Sequence, residues 1–154
     1  MKRTLIATAA ACVALGAGAG VASATQLGQV NGQGLTHRGA TMGYNAKSDL
    51  SGHLVYVSHD GSGFRARCDS FTSWQRVTSP DGYPRVRLLA TCTDQDGTRV
   101  FMKAKLTDRG EPGRRDNARV FWSYTAVNAS HRPFLADTGR IQKGNIQIHD
   151  PKKA

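Results

Sequence analysis

Three pairs of basic residues are each split by a single residue: Arg65 and Arg67, Arg85 and Arg87, Lys103 and Lys105. In an extended chain, successive side chains point to opposite faces. Both members of each pair therefore share one face, about 7 Å apart along the strand. No Asp or Glu lies in the segments 64–68, 85–93 or 99–107 that carry them. Like charges side by side on a sheet are destabilising, and a surface that keeps them suits an anionic partner. The chemistry expected of the six residues is electrostatic capture of an anionic polymer: wall teichoic acid, acidic polysaccharide, lipid head groups or nucleic acid. Arg114 and Arg115, in the loop that follows, could extend the same stripe. Phe101, and Phe121 further on, share the outward parity, and base stacking needs such interleaving. Two aromatics are a thin platform, so wall and surface polymers rank above nucleic acid.

Other chemistry is poorly provided for. There is no Gly-x-Ser-x-Gly and no phosphate-binding loop. Glu111 is the only Glu, so a pair of glycosidase carboxylates would have to rest on Asp. The histidines (His37, His53, His59, His131, His149) show no metal-ligand spacing. Asp94-Gln95-Asp96-Gly97 begins like a calcium loop, but Lys105 stands where the bidentate acid belongs. No cofactor or metal is expected. A small ribonuclease, with His, Glu111 and Arg supplying acid, base and phosphate clamp, is the enzymatic alternative. A second alternative is an inhibitor of a secreted hydrolase, presenting the 108–117 loop or Ser79-Pro80-Asp81-Gly82-Tyr83-Pro84 as a protruding segment.

The N-terminus sets the compartment. Lys2 and Arg3 precede an uncharged run rich in Ala, Leu and Gly, and Ala22-Ser23-Ala24 fits the small-x-small cleavage rule. Residues 1–24 thus read as a signal peptide of bacterial appearance, and the product as secreted or wall-associated. Cleavage would remove only two of the 21 basic residues, against 11 acidic ones, so the remainder stays strongly basic. No later apolar run approaches the roughly 20 residues of a membrane span. Cys12 leaves with the leader. Cys68 and Cys92 remain, both at inward positions of their strands, and in an oxidising compartment they are expected to form a disulfide. In that setting the sequon Asn128-Ala129-Ser130 reads as a chance tripeptide.

The elements that must position these groups are strands. Asp outnumbers Glu ten to one, which favours turns over helices. Residues 25–49, rich in Gly, Gln, Asn and Thr, show no period and read as a flexible N-terminal arm. Residues 50–154 read as one all-β domain, an antiparallel sandwich or barrel of six to seven short strands. The clearest are 85–93 and 99–107. A three-residue loop, Gln95-Asp96-Gly97, pairs 92 with 100, 90 with 102, 88 with 104 and 86 with 106, so that every apolar residue meets another. A two-residue turn would mix the faces. This register sets Arg87 opposite Lys105. Further strands are expected at 53–58 (apolar on both faces, hence central), 64–68, 119–127 and around Ile146 and Ile148. Shorter pieces are expected near 71–77 or 134–136.

Overall fold

The computed structural model describes residues 27–126 and 133–151. The leader, the sequon at 128–130 and His131 fall outside the described residues. Ten strands form one antiparallel sheet: β1 (Gln29–Leu35), β2 (Thr41–Lys47), β3 (Gly52–Val57), β4 (Arg65–Cys68), β5 (Ser73–Thr78), β6 (Pro84–Asp94), β7 (Arg99–Thr107), β8 (Asn117–Ser123), β9 (Leu135–Arg140) and β10 (Lys143–His149). The order is β10-β1-β2-β3-β4-β6-β7-β8-β9. The eleven residues of β6 are long enough to hold β4 and β5 one after the other along a single edge. The sheet curls into a half-barrel around one core, so the expected all-β class holds. Among the described residues the strand number is ten rather than six to seven.

The β6–β7 hairpin shows why this sequence folds so. Val86, Leu88, Ala90 and Cys92 meet Leu106, Ala104, Met102 and Val100 across the ladder, and all eight are buried. Each larger aliphatic side chain hidden this way contributes about 1.5–3 kcal/mol. Gly97 takes the left-handed conformation that the three-residue loop demands (φ 80°). The Asp94 carboxylate caps the loop by accepting from the backbone N–H of Asp96 (3.0 Å) and Thr98 (2.8 Å). Hydrophobic pairing and turn chemistry agree on one register, and Arg87 stands opposite Lys105 as expected.

Cys68 and Cys92 are bonded to each other across β4 and β6, with a Cα–Cα distance of 4.2 Å. The bond spans a sequence separation of 24 and stabilises by about 3–4 kcal/mol through the unfolded chain. Phe64, Tyr56 and Trp122 pack at one end of the core, with ring centroids 5.3–6.1 Å apart.

Three expectations are corrected. The described part of the expected arm, residues 27–49, is not loose: β1 and β2 form a hairpin inside the sheet and bury Val30, Met42, Tyr44 and Ala46. Its outward positions are Asn, Gln and Gly, which hid the alternation. β3 is one-sided, because Leu54 and Tyr56 are buried whereas Val55 is 41% exposed. β8 ends at Ser123, whose hydroxyl accepts from the Thr125 N–H and turns the chain. The strand expected to run to 127 thus stops short, and Tyr124 stacks on Phe134 at the surface.

The curl is held by three carboxylates, two of them buried. Asp137 of β9 accepts from the hydroxyls of Thr36 and Tyr56 (the latter at 3.0 Å) and so ties β9 to the β1–β2 side of the sheet. On β10, the Ile146 and Ile148 N–H groups donate to Asp116 (2.7 Å) and Asp108 (3.1 Å) of the β7–β8 loop. Two carboxylates thus stand where a neighbouring strand would place carbonyls. Among the described residues no helix is long and apolar enough to cross a membrane.

Candidate functional site: the outward face of β6–β8

Inward parity on β6, β7 and β8 is taken by the core, so the residues between are forced onto the convex face. The ladder aligns Arg87, Lys105 and Arg119 in one row across three strands, with Gln75 of β5 and Thr138 of β9 at its ends. Neighbours in such a row lie about 5 Å apart at the backbone. The row on one side joins Leu89, Lys103 and Phe121. On the other side Arg85 stands opposite Thr107 and donates from Nε to its hydroxyl at 2.9 Å. Arg140 of β9 closes that row opposite Asn117.

No outward position of β5 to β9 in these rows carries an acid. Among the described residues, none of Arg85, Arg87, Lys103, Lys105 and Arg119 makes an ion pair. Burial, with the neighbouring charges second, acts on two of them. Partial burial, then the charges of Lys103, Arg87, Arg119 and Arg85, pushes the Lys105 ammonium below its ordinary pKa. Burial followed by Arg119 does the same to Arg85, with Asp81 opposing. Both shifts mean that a proton is easier to lose here, and an incoming anion would reverse them. Phe101, Phe121 and Leu89 are partly buried between the cations. A shallow recess of about 350 Å³ opens beside Arg119 and Phe121 toward Thr138.

The structure brings together four of the six expected residues: Arg85, Arg87, Lys103 and Lys105. It does not bring Arg65 and Arg67 to them. β4 meets β6 with Arg67 opposite Thr93, six residues from Arg87, which is roughly 20 Å along the strand. Arg67 is paired there with Asp69 (2.6 Å). The disulfide does join β4 to β6, but at the end away from the cluster. Arg114 and Arg115 form a short 3-10 turn packed on β10 and do not extend the row. Arg119 was missed. It shares parity with Phe121, but a nine-residue loop between β7 and β8 leaves their register open until the chain is folded.

Among the described residues, no histidine lies at an outward position of β6–β8. His59 shares a hydrogen bond with Thr41 (2.9 Å), and His37 lies against Gly139. No group of three metal-ligating side chains occurs among the described residues. Comparison with protein-family models, with characterised proteins and with solved structures finds no match to this chain.

Proposed function

We propose that this chain is a secreted, non-enzymatic protein that holds an anionic polymer of a cell surface or wall against the outward face of β6–β8. One observation carries the reading: five cations on three adjacent strands, in register, without an acid at any outward position between them. A neutralising partner would convert their mutual repulsion into binding energy, and the attraction would weaken with salt. A bacterial wall or surface polysaccharide suits the face better than nucleic acid, because its two aromatics are partly buried and give bases little to stack on. The leader-like residues 1–24 and the Cys68–Cys92 bond agree with export.

Two features weigh against the alternatives. Among the described residues, no histidine or carboxylate occupies an outward position of β6–β8, so a phosphodiester held there would meet no proton donor or acceptor of that kind. The two loops suited to an inhibitor are tied to each other. Arg109 pairs with Asp81 and lies over the Tyr83 ring at 5.2 Å.

The test is elution of the protein from immobilised dextran sulfate in a salt gradient. The combined variant Arg87→Gln, Lys105→Gln, Arg119→Gln is expected to elute at distinctly lower salt. On nucleic acid, the log–log salt slope falls by about one for each phosphate contact removed, and a similar trend is expected here. Arg65→Gln, Arg67→Gln, which removes as basic a pair from the distant end, is expected to change retention far less. Elution of the triple variant at the wild-type position would sink the proposal.

A further inference from the structure

The other end of the strand order carries a different surface. In β2, β1 and β10 the two middle outward rows pair as Asn45–Asn31–Gln147 and Gly43–Gln33–Asn145, flanked by the rows Lys47–Gln29–His149 and Thr41–Leu35–Lys143. In the two middle rows every residue is an amide or a glycine. Asn and Gly disfavour strands, where Thr or Val would serve better, so this composition is a local cost that folding alone does not explain. The amides line a recess of about 480 Å³. Gly43 lies outside the recess itself, beside open space: a side chain there would meet nothing within 4 Å.

The polar groups are arranged, not merely exposed. Gln29 Nε2 donates to Asn45 Oδ1 at 3.0 Å, which fixes the Asn45 amide at the edge of the recess. Glu111, the single Glu of the chain, comes from the β7–β8 loop. It accepts from Asn145 Nδ2 and, at 3.4 Å, from Gln147 Nε2. Asn31 Oδ1, in the middle strand, is shut off from solvent with no donor among the described residues. Asn145 Oδ1, on the neighbouring strand, is in the same state. Acceptors left in this state favour a ligand that brings donors.

We propose that this recess is a second binding site, for a neutral saccharide. Ring hydroxyls donate and accept side by side, as the amides do. An anion would face the Glu111 carboxylate and the amide oxygens. A cation would find one carboxylate already engaged by two amides. A peptide strand would need a free sheet edge, whereas the recess lies on a face, and the β10 edge is taken up by Asp108 and Asp116. The site shares no residue with the basic face, although the curl of the sheet brings β10 into contact with β6.

The experiment is a titration of the ¹⁵N-labelled full chain with chitotetraose, cellotetraose and maltotetraose, each to about 10 mM, a range that detects millimolar binding. At least one is expected to shift the side-chain amide signals of Asn31, Gln33, Asn45 and Asn145 saturably. Gln33→Thr, Asn45→Thr keeps strand-compatible residues, and its backbone spectrum reports whether it is folded. It is expected to bind about tenfold more weakly. The triple variant of the basic face is expected to bind the saccharide as the wild type does, so failure of either proposal is read separately. Absence of saturable shifts with all three sugars, shifts confined to other strands, or wild-type affinity in the folded double variant would each overturn the site.

Discussion

Asp137 concentrates several roles in one side chain. It is buried, and it accepts from Thr36, from Tyr56 and from the Arg38 N–H at 3.3 Å. Tyr56 is held well above the ordinary tyrosine pKa, first by burial and then by this carboxylate, so its proton stays in the hydrogen bond. Asp137→Ala would leave two buried hydroxyls without their acceptor. A loss of about 2 kcal/mol or more is expected, measured as a lower urea midpoint with unchanged m-value. Nothing in the sequence around 137 marks it, because its partners lie 81 and 101 residues away. Arg119 is the same kind of case: its side of the strand could be read, but its neighbours could not.

Elements that carry their own turn were legible. The β6–β7 hairpin could be placed to the residue because only one loop length matches apolar to apolar, and Gly97 supplies the required backbone. β1 and β2 were not, since their inward residues are separated by amides and glycines that also characterise disordered chain. β10 illustrates a different limit. Its outer edge is satisfied by carboxylates from a loop, a pairing that no strand periodicity can announce. Asp108→Ala is expected to speed amide exchange at Ile148, whose N–H loses its acceptor, while Ile146, held by Asp116, keeps its protection. Equal acceleration at both sites would mean that the edge opens as a unit and that the two carboxylates are not separate clasps.

At the scale of the whole molecule, acid stability follows from the balance of carboxylates. Hydrogen bonds from Ser58 and then Ser62 hold Asp60 below the ordinary 3.8, and side-chain hydrogen bonds do likewise for Asp49, Asp81 and Asp150. A depressed pKa contributes stability above the unfolded value that is lost as pH falls through the folded one. Asp116, raised first by burial, works the other way: its contribution becomes less unfavourable as pH falls through its raised value. Four against one, the thermal midpoint is expected to drop below pH about 3.8. Asp60→Asn should lower it near neutrality yet converge with the wild type in stronger acid, as followed by circular dichroism. A gap that persists unchanged in strong acid would show that the Asp60 charge is not what stabilises the turn.

Residue order alone determined the all-β class, the disulfide and the side of the sheet on which each cation lies, because strand parity and turn chemistry are local properties. Which cations become neighbours was decided by tertiary structure, since register across long loops depends on how the inward side chains pack. That packing aligned Arg119 with Lys105, carried Arg67 about 20 Å away from Arg87, and drew an amide-rich N-terminal segment into the sheet.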